Sequence, residues 1–173
     1  KYKKSISTYN IGIDYLNNNK SDWAMFYARG MAYERNGNWN KAENDFLTAL
    51  DLFPDHPLVL NYLGYSWIDL GIHLKLAHAM IKKAVQQRPN DAYIIDSLGW
   101  SLYKIGDYKN AVIELEKAVQ ILSNDPIITD HLGDALWKAG YKNEARFQWQ
   151  RSLIYKPEKK LDKMIRKKIK SGL

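Results

Sequence analysis

The sequence predicts an all-α fold, a solenoid of short helical hairpins, and three observations carry that prediction. Residues 96–119, DSLGWSLYKIGDYKNAVIELEKAV, place Leu98, Gly99 and Leu102 on one helical face. The pattern breaks at Gly106-Asp107, then sets Tyr108, Ala111, Leu115 and Ala118 on a second face. Several columns of this unit recur about 34 residues apart: Gly30, Gly64, Gly99 and Gly133 in the first helix, Gly37, Gly71, Gly106 and Gly140 at the turn, and Ala42, Ala77, Ala111 and Ala145 in the second helix. Finally, a hairpin this short cannot bury both of its apolar sides alone, so it needs neighbours of its own kind.

The alternation of small and large residues has a packing reason. Small residues let two helix backbones approach, and large ones fill the space beside them. The pattern W-x2-L-G-x2-Y, A-x3-F and P at this period resembles the tetratricopeptide repeat. Here it appears as Ala42-x3-Phe46-x2-Ala49-x4-Pro54 and Ala111-x3-Leu115-x2-Ala118. The resemblance implies a right-handed α-solenoid closed by a C-terminal capping helix. Departures are local: Arg29 stands in a leucine column, Leu74 and Lys142 replace the aromatic after the turn, and Ser152 replaces an alanine. One extra residue lies between Gly71 and Ala77 and should lengthen that turn.

Taken in order, residues 1–22 read as the second helix of a truncated repeat plus a loop, with Tyr2, Ser5, Tyr9 and Gly12 at the spacing of a second-helix stripe. The loop is Asn17 to Asp22, and Ser21 or Asp22 is placed to cap the next helix. Full repeats are expected at 23–56, 57–91, 92–125 and 126–159, with Pro57 and Pro126 at first helical positions, where a missing N–H costs nothing. Residues 160–173 form a basic amphipathic capping helix with Leu161, Met164, Ile165 and Ile169 on one face.

Composition narrows the function classes. The hydrophobic fraction of 46% suffices for a core, and with no cysteine there is no disulfide framework or thiolate site. No apolar run is long enough to span a membrane. The chain begins with lysine and shows no signal-peptide pattern, which reads as a piece of a longer protein. The net charge of +7 is concentrated at the ends, since residues 156–173 alone hold eight Lys/Arg against two acids.

Catalytic signatures are missing from the sequence. The four histidines lack the spacing of a zinc-hydrolase helix, and no nucleophile-elbow, Walker or dinucleotide motif occurs. His131 between Asp130 and Asp134 could mimic a catalytic cluster, but a solvated or groove-lining role is the simpler expectation. The reading is therefore a non-enzymatic chain with no cofactor and no metal.

Binding is the better-supported activity. A second stripe of each first helix, at spacings of three and four, is not consumed by the packing columns. In tetratricopeptide repeats the resemblance implies that this stripe faces the concave groove. It nominates Tyr27, Asn61, Tyr65, Tyr93, Asp96, Trp100, Tyr103, Asp130, Asp134 and Trp137 as partner-binding residues. Such a face suits a protein or peptide with apolar and basic side chains. The acids argue against the carboxylate clamp of chaperone-binding repeats. No small-molecule substrate is expected, and nucleic acid is disfavoured because the basic helix lacks interleaved aromatics.

Two alternatives stand beside this reading: self-association with copies or with a missing upstream array, and contact with an anionic envelope surface through the basic C-terminal helix. The segments NYLGYSWIDLG and DHLGDALWKAG are also similar to the C-terminal repeats of long bacterial tetratricopeptide proteins, some of them lipoprotein adaptors. That resemblance implies the cell envelope, while the composition is equally compatible with the cytoplasm.

Overall fold

A computed structural model of the chain describes residues 2–16 and 19–173. The loop expected around Asn17 and Asn18 thus lies in part outside the described residues. Among those residues there are ten α-helices and no strand: α1 (Tyr2–Ile13), α2 (Trp23–Arg35), α3 (Trp39–Leu52), α4 (Pro57–Leu70), α5 (Leu74–Gln87), α6 (Ala92–Lys104), α7 (Tyr108–Ile121), α8 (Pro126–Ala139), α9 (Lys142–Ile154) and α10 (Lys159–Ser171). They form two compact units, residues 1–63 and 64–173, divided within α4.

Each hairpin turn is made by the residue types found there. Gly106 takes a φ of +90°, a region in which glycine lacks the steric cost of a Cβ. The next residue, Asp107, accepts the Asn110 backbone N–H at 3.4 Å and so caps α7. Asp91 and Asp125 cap α6 and α8 in the same way, with Asp125 Oδ1 2.8 Å from the Ile127 nitrogen. Asp22 behaves differently from the capping expectation, because its carboxylate accepts the Asn19 N–H at 2.7 Å and makes no side-chain cap to α2. The extra residue after Gly71 is accommodated by His73, which adopts a left-handed φ of 50° before α5.

The glycine column is a set of helix crossings. A methyl group on Gly30 would lie 2.7 Å from Phe46, one on Gly64 2.8 Å from Ile81, one on Gly99 2.5 Å from Leu115, and one on Gly133 2.4 Å from Trp149. The contacting residues Phe46, Ile81, Leu115 and Trp149 are completely buried, as are the second-helix alanines Ala42, Ala77, Ala111 and Ala145. The contacts of the last two hairpins merge into one core that includes Ile95, Val119, Ile128, Leu132 and, from α10, Ile165. Ser152, the replacement in an alanine column, is also fully buried, and its hydroxyl donates to the Pro126 carbonyl at 2.6 Å.

Helix α10 caps the second unit. Ile165 is fully buried, Leu161 and Ile169 pack against the core, and Lys159, Lys160, Lys163, Lys167 and Lys170 stay exposed. Lys167 stands one repeat length after Gly133, so the outer face of α10 offers a long charged side chain where the other first helices admit a second helix.

The first unit contains α1, α2, α3 and the start of α4, and its one departure from the leucine column is a substitution of charge for apolar packing. Arg29 makes two bonds to Asp45, at 2.7 and 2.8 Å, and a third to Asn10 of α1 at 3.0 Å. Asp45 is only 5% exposed, so the guanidinium neutralises a carboxylate that has little access to water. Restoring the usual residue with Arg29→Leu should therefore destabilise the unit, by about 2 kcal/mol for a pair that is partly solvated. Arg29→Leu/Asp45→Ala should recover most of the loss in denaturant unfolding.

Candidate protein-binding face

The stripe nominated for binding divides between the two units. In the first, Tyr27 is half-buried in an aromatic cluster, 6.0 Å from Phe46 and 5.8 Å edge-on from Tyr62. Burial raises the Tyr27 hydroxyl pKa, with Arg35 pulling the other way. Tyr62 donates to Glu34 at 3.3 Å, and burial followed by the Glu34 charge pushes its pKa up to about 12. Asn61 is half-buried, and its Oδ1 lacks a hydrogen-bond partner among the described residues.

In the second unit, α6 and α8 carry the most developed part of the stripe. Trp100 is stacked between Tyr103, at 4.7 Å with planes 7° apart, and His131, at 4.1 Å and 13°. Both Trp100 and Tyr103 remain partly exposed, Tyr65 likewise, and Tyr93 is 60% exposed. Lys104 Nζ lies 5.3 Å from the Trp100 ring centre. The Trp100 indole N–H is enclosed without an acceptor among the described residues. Burial and then the nearby carboxylate of Asp134 push the Tyr103 hydroxyl to about 12.

The acids nominated with these rings do not face an open groove. Asp96 is buried and accepts from His131 Nδ1 at 2.9 Å, and His131 is itself 7% exposed rather than solvated. Asp130 and Asp134 are both buried beneath α10, where Lys168 Nζ sits 2.8 Å from Asp130 and 2.7 Å from Asp134. Asp134 also accepts the Trp149 indole N–H at 2.9 Å. Burial, followed by the Asp134 charge, raises the Asp130 pKa even though Lys168 opposes the shift. Trp137, partly buried, has Lys142 4.0 Å from its ring centre and leaves no room for a methyl on Gly172. The C-terminal end of the stripe is thus occupied by the chain's own last helix.

Sequence reasoning missed both ionic contacts, although they follow the repeat: His131 lies 35 residues after Asp96, and Lys168 lies 34 after Asp134. A charge one period away and of opposite sign was the available signal. No trio of His, Asp and Glu able to hold a metal occurs among the described residues.

The tetratricopeptide repeat family profile matches residues 7–159. The chain belongs to the tetratricopeptide repeat family. A curated relative, the TPR repeat-containing protein PA4667 of Pseudomonas aeruginosa, is 32% identical over 90 residues. That match covers 52% of this chain but 15% of the relative, so the chain spans a small part of that protein's length. Among solved structures, a thermophilic TPR protein of Thermus thermophilus, TTC0263, has a TM-score of 0.76 at 19% identity, covering 99% of this chain and 90% of that one. MamA of Desulfovibrio magneticus RS-1 gives 0.74 at 18% identity over 89% and 85%. YrrB, described as a TPR protein with an unusual peptide-binding site, gives 0.69 at 16% over 96% and 84%. These likenesses establish the tetratricopeptide solenoid fold.

The buried ion pair gives a pH signature. Burial opposes protonation of His131, but Asp96 beside it, with Asp130 and Asp134 further off, outweighs burial and raises its pKa above the ordinary value. A raised folded-state value means that the stabilisation is complete below about pH 6.5, the unfolded value, and is lost as pH rises through the folded value. The unfolding free energy of the wild type should therefore fall over that range more than that of His131→Gln, and an NMR titration should place the imidazole above its ordinary value.

Proposed function

We propose that this chain is a non-catalytic adaptor whose second unit docks an apolar segment of a protein or peptide against Tyr65, Tyr93, Trp100 and Tyr103. The observation that carries this reading is the Tyr103–Trp100–His131 stack, left partly open, with Tyr93 exposed two turns earlier on α6. Rings held this way lose little conformational freedom on binding, and Trp and Tyr dominate binding hot spots. Tyr27 and Asn61 are the corresponding candidates of the first unit.

The nominated acids enter this reading in a different role. Asp96 orients His131 against Trp100, so it positions the wall without touching a partner. Asp130, Asp134 and Trp137 belong to the part covered by α10. The YrrB description as a peptide-binding protein supports the class of partner, though it is a statement about that protein.

A displayed peptide library tests the reading. Selected peptides should be rich in aromatic and aliphatic residues, and Tyr65→Ala/Trp100→Ala should weaken them at least about thirtyfold with helicity unchanged. Equal binding by the well-folded double variant would overturn the assignment of the wall.

A further inference from the structure

The contact between α10 and α8 combines three features that a permanent seal does not need. Its centre is ionic: Lys168 is 8% exposed and its ammonium lies within 2.9 Å of both Asp130 oxygens and 2.7 Å of Asp134. Replacing a buried ion pair by apolar residues of similar volume is often neutral or stabilising, so an ionic centre holds a helix no more firmly than a methionine or leucine would. It does, however, specify what may occupy the site, because two adjacent buried carboxylates without a cation are strongly unfavourable.

The packing around that centre is also incomplete. An open cavity of about 440 Å³ remains between the two helices, lined by Ile127, Asp130, His131, Leu161 and Met164 among others. Ile127 and Met164 are each 48% exposed at its edge. Third, α10 joins α9 through a short non-helical link in which Lys156 holds a left-handed φ of 56°. Such a link lets α10 open locally without unwinding α9, on which it also packs.

We propose that the face of α8 beneath α10 is a docking site for a lysine-bearing amphipathic helix, with α10 as its resident occupant that a partner helix of the same pattern displaces. The pattern is read from Leu161, Ile165, Lys168 and Ile169: apolar residues at i, i+4 and i+8, with lysine at i+7. The acid pair selects the ammonium, and the apolar residues fill the core position now held by Ile165. In the unbound protein the site is closed, so partner affinity is scaled down by the fraction of chains in which α10 is undocked. The proposal rests on the reading of the inner wall as a docking surface, and places the basic partner side chains at its C-terminal end.

Hydrogen exchange on the full chain, followed by mass spectrometry, tests it. The probe is a mass-labelled synthetic peptide of residues 157–173, with a Lys168→norleucine peptide as control. Without peptide, the α10 amides should exchange at least about tenfold faster than those of α8, as a local opening. Saturating lysine peptide should raise α10 exchange by a further factor of about ten, and the norleucine peptide should not. A chain carrying Asp130→Asn/Asp134→Asn, checked for native helicity, should lose the response, whereas Tyr65→Ala/Trp100→Ala should keep it. Retention in the latter separates this site from the aromatic wall. Exchange of α10 in step with α8, or equal effects of the two peptides, would overturn the proposal.

Discussion

Four close helix crossings set the rest of this structure. A glycine inside a helix costs about 1 kcal/mol relative to alanine, and this chain accepts that cost at Gly30, Gly64, Gly99 and Gly133. The reason is visible in the residues that stand opposite: Phe46, Ile81, Leu115 and Trp149 each press on the glycine backbone at distances that no Cβ tolerates. In three hairpins the partner lies 16 residues on, and in the hairpin with the extra residue it lies 17 on, so the contact is kept and the turn absorbs the difference. Packing outranks local geometry there, which is why His73 takes a left-handed φ.

Because the second helix occupies one side of each first helix, another side is left over. In the second unit that remaining side is organised by polar contacts from one first helix to the next: Asp96 of α6 to His131 of α8, then Asp130 and Asp134 of α8 to Lys168 of α10. These contacts keep buried charges paired and fix the ring of His131 against Trp100. A packing device made of glycines and large side chains thereby determines where the aromatic wall stands and how much of it α10 covers.

The repeat, the turn glycines, the second-helix stripe and the basic capping helix were legible in the sequence because each depends on local periodicity. The candidate site was legible in part. The spacing of Trp100 and Tyr103 put them on one face, and their rings stack. The fate of Asp130 and Asp134 was not legible, because burial depends on α10 folding across α8, and a lysine among eight basic residues carries no mark of being the buried one. His131 was hidden for a similar reason: its partner lies a full period away, while its sequence neighbours are the acids that suggested a solvated cluster. Arg29 shows the same limit, since its partner Asp45 belongs to the next helix and nothing local links them.

The glycine crossings, on which the rest depends, are tested most directly by a double-mutant cycle at Gly99 and Leu115. Gly99→Ala should cost about 1–3 kcal/mol by overpacking, and Leu115→Ala about 2–5 kcal/mol by opening a cavity. In Gly99→Ala/Leu115→Ala the new methyl group enters the space vacated by the leucine. The double variant should then be more stable than the sum of the single losses, by about 1 kcal/mol or more. Losses that simply add, to within about 0.5 kcal/mol, would show that the two residues do not compete for the same space and would contradict the central role of the crossings.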